Sequence, residues 1–183
     1  MPSSSTTAVS EEAVDVILRD GTTLRLRAPA PRDADALVAF FADLSEQSRY
    51  LRFHGTARID TTFVEHFLSP DWDDRGILVG ALAAEGGVER IVAVAEFARL
   101  RDPAAAEVAF AVADDLQGRG VGTRLLERLA ARASEAGVER FVAEVLPQNA
   151  PMLAVFRGSQ LRTKRCTPAR KPSAVKARTA SLA

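Results

Sequence analysis

Ala106-Glu107-Val108-Ala109-Phe110-Ala111-Val112, followed by Ala113 to Leu116 and then Gln117-Gly118-Arg119-Gly120-Val121-Gly122, is the stretch that decides the fold. The first seven residues have strand composition. Beyond the glycines, Val121, Leu125, Leu129 and Ala133 recur every four residues, Leu126 widens the stripe, and Gly137 is placed to end a helix in a left-handed cap. A strand-to-helix turn of this kind points successive backbone N–H groups at the positive end of a helix dipole. Glycines let an anion come close, so Gln117 to Gly122 reads as a phosphate grip. The bland reading is that the glycines only shape a tight turn. A P-loop is excluded, because Gly122 is followed by Thr123-Arg124 where Lys and then Ser or Thr are needed. A dinucleotide fingerprint would need a third small residue at position 123, which is Thr, and a parallel sheet around it.

Working outward from this turn, Phe141 to Leu146 is a strand ending before Pro147, and Asn149-Ala150-Pro151 opens a last helix through Met152, Val155 and Phe156. Upstream, Ile77 to Ala84 and Ile91 to Phe97 read as an antiparallel hairpin joined through Glu85-Gly86-Gly87, with a break at Asp102-Pro103. A short helix follows Asp60 with Phe63, Val64, Phe67 and Leu68 inward. Another starts at Pro31 with Leu37, Phe40, Phe41 and Leu44 inward. Residues 14 to 27 alternate across Asp20-Gly21 as a strand pair or one bent strand. Antiparallel hairpins followed by a strand, helix, strand unit imply a mixed sheet, α/β or α+β in class.

The 183 residues suit one domain, and 47% apolar content suffices for one core. No run approaches the roughly 18 apolar residues of a membrane helix, and the N-terminal residues lack the features of a secretory signal, so a cytoplasmic protein without membrane contact is expected. Cys166 is the only cysteine, which excludes an internal disulfide and a cysteine metal site; His54 and His66 are isolated, and no metal is expected.

Charge divides the chain. Before Gly158, 17 arginines against 24 acids leave a formal charge of −7 with no lysine, whereas residues 158 to 183 hold seven basic groups and no acid. The body gives no reason to expect nucleic-acid binding. The expected organisation is a disordered N-terminus over 1–12, a domain over 13–157, and a basic disordered tail over 158–183, interrupted by Pro168 and Pro172 and carrying Lys164, Lys171 and Lys176.

Gln117, Gly120 and Gly122 fit the motif Gln or Arg, two residues, Gly, one residue, Gly or Ala, by which the chain resembles the GCN5-related N-acetyltransferase superfamily. Ser48-Arg49-Tyr50-Leu51-Arg52-Phe53, Ala106 to Phe110 and Arg140 to Leu146 resemble the acetyltransferase domain of bacterial protein lysine acetyltransferases. The resemblance covers residues 14 to 157. It implies a mixed, mostly antiparallel sheet flanked by helices. Members continue beyond the last helix with Gly-Phe and two strands. Here Gln160-Leu161 stands there, so the sheet is expected to lack those last two strands, leaving an unpaired edge at Phe141 to Leu146 and a tendency to form a homodimer through it.

The resemblance further implies acetyl-CoA as acyl donor, an amine acceptor (a small molecule or a protein lysine), and Glu107 as the base that helps deprotonate it. Glu107 reads as desolvated among Ala106, Val108 and Phe110, with a solvent-facing sheet-edge position as the alternative and Glu96 as the competing base. Backbone N–H groups at Phe110, Ala111 and Val112 are the implied oxyanion donors. Coenzyme A would lie on Gln117, Gly118, Arg119, Gly120, Val121, Gly122 and Thr123, with Asn149 either as a polar contact to the pantetheine arm or as the N-cap of the last helix. Phe156 takes the place of a tyrosine that serves as acid in many members. Two functions follow from different classes: an N-acetyltransferase, and a catalytically weak acyl-CoA-binding regulatory module.

Overall fold

The computed structural model describes residues 13–55, 58–83, 88–166 and 176–181. Strands β1 (Val14–Ile17) and β2 (Thr23–Arg27) form the antiparallel hairpin expected of residues 14 to 27, turning at Gly21 with φ +86°. A 3-10 turn at Pro31–Asp33 leads into helix α1 (Ala34–Asp43), whose Leu37, Phe40 and Phe41 are buried. Asp33 is buried but paired. It accepts from the Arg27 guanidinium at 2.6 and 2.8 Å and from the Ala30 N–H at 2.7 Å, and Arg27 also donates to Glu89 at 2.9 Å. Burial raises the Asp33 carboxyl, but these donors outweigh it and hold it below the usual carboxylate range.

Helix α2 (Glu46–Phe53), absent from the sequence reading, is capped by Ser45, whose hydroxyl accepts from the Ser48 N–H at 3.2 Å. None of its residues is fully buried, so it lacks the apolar stripe by which helices are recognised. Helix α3 (Thr61–Glu65) is capped by Asp60 as expected. Then come β3 (Arg75–Ala83), β4 (Glu89–Arg99), β5 (Ala105–Val112), a 3-10 turn at Asp114–Leu116, α4 (Val121–Glu135), β6 (Arg140–Val145) and α5 (Ala150–Gly158).

Two more strands, β7 (Arg162–Cys166) and β8 (Lys176–Ser181), complete one sheet in the order β1-β2-β3-β4-β5-β6-β8-β7. Among the described residues only the β5–β6 pair is parallel. The expectation that the sheet lacks its last two strands is therefore corrected. Strand β8 runs antiparallel to β6 from Arg140↔Ser181 to Val145↔Lys176, and β7 pairs with β8. Pro168 and Pro172, expected to interrupt the tail, lie outside the described residues. The open backbone edge of β6 rewards pairing whatever the side-chain pattern of the added strand. The unpaired β6 edge that motivated a homodimer is accordingly taken. The expected disordered N-terminus, 1–12, lies outside the described residues, as do 167–175 and 182–183 of the tail.

The sheet is covered on both faces. Phe97 meets Phe141 with ring centroids 6.0 Å apart and Phe110 meets Phe156 of α5 at 6.2 Å, whereas neighbouring Glu96 reaches Arg52 of α2 on the opposite face. On that second face Phe41, Phe53, Phe63 and Phe67 pack ring against ring at 5.2 to 5.7 Å.

Candidate active site

Strands β5 and β6 are paired only over Ala105↔Arg140, Ala106↔Phe141 and Glu107↔Val142, although β5 runs on to Val112 and β6 to Val145. Past Glu107 they separate. The gap opens into a cavity of about 370 Å³ bounded by β5, the glycine turn, the start of α5 and helix α2, a volume within the range of small-molecule sites.

The structure brings most of the expected residues to this cavity. Glu107, Phe110, Ala111 and Val112 line it from β5, and Gln117, Gly118, Gly120, Val121 and Gly122 from the turn; Asn149 lines it from the α5 side. Arg119 and Thr123 do not. The Arg119 guanidinium instead pairs with Asp20 of the β1–β2 turn at 2.8 Å. Gly118 and Gly120 have φ of +77° and +93° with open space where a Cβ would stand, as a turn receiving an anion requires. Gly122 has a different reason. A Cβ there would lie 2.9 Å from Val155 Cγ2, so this glycine lets α5 pack onto α4. The first N–H groups of α4 have no intrahelical acceptor and face outward at the turn.

The strand backbone sorts the expected oxyanion donors. Ala113 N–H donates to Val92 O of β4 at 2.8 Å. Alternation then turns the Ala111 N–H toward β4 and leaves those of Phe110 and Val112 facing the gap. Glu107 is exposed at the floor of the opening, in the interior of the sheet. The burial expected of it is absent; it faces solvent, as the alternative reading had it, but from a strand paired on both sides and not from a sheet edge. Glu96 does not line the cavity; its carboxylate is tied to Arg52, with side chains 18% and 12% exposed. Asn149 caps α5, accepting from the Met152 N–H at 3.1 Å, while also lining the cavity. Phe156 is 1% exposed and belongs to the core, away from the lining.

Several lining residues escaped the sequence reading. Glu144 of β6 lies two residues beyond Val142, the register partner of Glu107, which puts both carboxylates on one face. Ser48, Leu51, Arg52 and Phe53 come from α2, and His54, at φ +54°, ends that helix beside them. The Ser48 to Phe53 motif was visible in the sequence. Its helix was not. Asp114 joins α2 to the turn. It accepts from Ser45 N–H at 2.9 Å and from the Ser45 and Ser48 hydroxyls at 2.8 and 2.6 Å. Gln117 Nε2 donates to Ser48 Oγ at 3.1 Å and to Val112 O at 3.2 Å. Burial pushes the Asp114 carboxyl up, but donation from the Ser45 N–H and the two hydroxyls outweighs it and holds the group below the usual carboxylate range.

Comparison with known proteins agrees with this geometry. Residues 39–159 match the model of the Acetyltransferase (GNAT) family. Acetyltransferase Pat of Mycolicibacterium smegmatis is 34% identical over 144 residues, which are 78% of this chain and 42% of that protein; the chain thus spans less than half of this relative's length. Among solved structures, the GNAT domain of S. lividans PAT superposes with a TM-score of 0.78 at 36% identity, covering 92% of this chain and 96% of that one. A cAMP-binding acyltransferase from Mycobacterium smegmatis superposes with a TM-score of 0.61 at 27% identity, covering 93% of this chain and 48% of the other. The sheet that splays at Glu107, the glycine turn at the splay and these matches have one conclusion: the chain belongs to the acetyltransferase (GNAT) family.

Proposed function

We propose that the chain is an N-acetyltransferase that takes an acetyl group from acetyl-CoA and passes it to an amine, a protein lysine being the acceptor favoured by the resemblance of Ser48 to Phe53, Ala106 to Phe110 and Arg140 to Leu146 to protein lysine acetyltransferases. The observation that carries this is the single cavity joining the glycine turn to Glu107 through the β5–β6 gap. Turn N–H groups hold the diphosphate, and the pantetheine arm replaces the missing strand pairing in the gap. The Phe110 and Val112 N–H groups, left without a strand partner there, donate to the thioester oxygen as it becomes an oxyanion.

A lysine ammonium lies about three pH units from its neutral form at neutrality, so a base has to accept a proton. Glu107 is that base, directly or through a water in the open floor of the site. The amine nitrogen then bonds the acetyl carbon as the C–S bond breaks, and the thiolate, with a conjugate acid pKa of about 8.5, leaves without a positioned acid and takes up the nitrogen's remaining surplus proton through water, giving the neutral amide and free thiol. Phe156 cannot supply one. The regulatory-module alternative drew on a sheet without its last strands, and β7 and β8 weaken that motive.

Thiol release from acetyl-CoA with a panel of amines and lysine peptides is the test. Turnover that falls roughly 10²-fold or more in Glu107→Gln, with acetyl-CoA affinity retained and the loss shrinking at high pH, supports the assignment. Binding without turnover supports the regulatory module.

A further inference from the structure

Helix α2 is the wall of the cavity to which acetyl transfer itself gives no role, and its position is weakly determined. It is eight residues long with no fully buried residue, and a helix of that length is not stable alone in water. Phe53 anchors its last turn against Phe41 and Phe63 at 5.7 and 5.4 Å, and Arg52 pairs with Glu96. The ties of its first turn to the rest of the fold that are seen among the described residues are polar and run to Asp114, ahead of the glycine turn, and to Gln117, the first residue of that turn. Asp114 receives the Ser45 N–H and the Ser45 and Ser48 hydroxyls within 2.9 Å, and the Gln117 amide reaches Ser48 Oγ at 3.1 Å. The amide nitrogen of the motif residue Gln117 is therefore divided between Ser48 of α2 and Val112 O of β5, which links the turn to the helix.

We infer that Asp114 is a positioning residue which couples occupation of the glycine turn to the seating of α2, so that this wall of the cavity, which we assign to the acceptor, is fixed only when the donor is in place. The inference rests on the acyl-CoA reading above. A diphosphate bound to the 117–122 N–H groups orders the turn and, with it, the 3-10 turn at Asp114–Leu116 that presents the carboxylate to α2. Ordering one side of this hydrogen-bonded junction lowers the entropy lost in ordering the other, and such coupling is reciprocal between ligands. Because the ties are partly solvent-exposed, α2 belongs to the low-stability end of the molecule, where a ligand can shift the opening equilibrium.

The test uses the full chain with coenzyme A as probe. Thermal shift reports binding, and amide hydrogen exchange over residues 46–53 reports α2. In the unmodified protein coenzyme A should slow exchange across α2 by on the order of 10-fold. In Ser48→Ala and Asp114→Ala the probe should still raise Tm, but the slowing should fall to less than about 2-fold. Asp114→Asn, which keeps an oxygen for the two hydroxyls, should restore part of it. The same variants should raise the acceptor KM more than they lower kcat.

A purely structural role for Asp114 would lower Tm in every state and leave the ratio of exchange rates with and without coenzyme A unchanged, which overturns the inference. Ser48→Ala removes the Asp114 and Gln117 ties to the Ser48 hydroxyl but leaves Asp114 its two bonds from Ser45 and Gln117 its bond to Val112 O, so the test stands even where Asp114→Ala does not fold. Binding of coenzyme A with no change in α2 exchange overturns the coupling alone. No binding at all overturns the acyl-CoA reading and the coupling with it.

Discussion

Replacing Gly122 by alanine tests whether the second motif glycine serves the ligand or the packing of α5. The added Cβ would stand 2.9 Å from Val155 Cγ2, with Phe110 and Val112 carbons at 3.6 and 3.8 Å closing the other sides. Carbon contacts are at their best near 3.5–4.0 Å, so α5 or Val155 has to yield by about 0.6 Å or more. Valine in a helix has one strongly preferred rotamer and cannot swing away cheaply. Overpacking of this kind costs about 1–3 kcal/mol, offset by up to about 1 kcal/mol from alanine's better helix propensity, leaving a net loss of about 1–2 kcal/mol.

At roughly 2–4 °C per kcal/mol for a chain of this size, Tm should fall by about 2–8 °C. Chemical denaturation of Gly122→Ala, Val155→Ala and the double variant gives the cycle. The double variant should be more stable than the sum of the single effects implies by about 1 kcal/mol, because Val155→Ala vacates the space. Gly120→Ala, with open space but φ +93°, should be destabilised by strain alone and show no coupling to Val155. Additivity of Gly122→Ala and Val155→Ala, or an unchanged Tm in Gly122→Ala, would refute the packing explanation.

Phe156→Tyr should not create a catalytic acid. At 1% exposure against Phe110 its hydroxyl would be buried, so stability should drop by about 1–3 kcal/mol in denaturant titration with no gain in kcat. Asp33→Ala removes one acid from the buried Arg27, leaving it with Glu89, and should cost about 1.5–3 kcal/mol by the same assay, less than stranding a buried charge outright. Asp33 and Asp114 have folded-state pKa values below the ordinary 3.8, so the folded protein binds their protons less readily than the unfolded chain. Their contribution to stability is then full above about pH 4 to 5 and is lost as pH falls through and below the ordinary carboxylate range. Acid unfolding followed by circular dichroism should show this loss, and Asp114→Asn should flatten it.

The local features of this protein were legible because local chemistry dictates them. Proline and acids start α1, Asp60 caps α3, a four-residue apolar repeat makes α4, and alternation or continuous apolar runs make β1 through β6. The glycine turn was equally readable, since positive φ at positions 118 and 120 and N–H groups ahead of a helix follow from residue type and order.

What tertiary structure alone decided are the features fixed by partners distant in sequence. Helix α2 buries no residue completely and is held by Asp114, 66 residues beyond Ser48. Strands β7 and β8 exist because β6 offers an edge, which their own basic and polar sequence does not announce. Gly122 is small because of Val155, and Glu144 joins Glu107 because the β5–β6 register sets them on one face. Glu96, a plausible base by composition, is withdrawn by Arg52 from another helix. Residue type and spacing along the chain determine turns, caps and periodicity. The choice among chemically equivalent acids and glycines belongs to contacts across the fold, because desolvation, pairing and steric room are properties of neighbours in space.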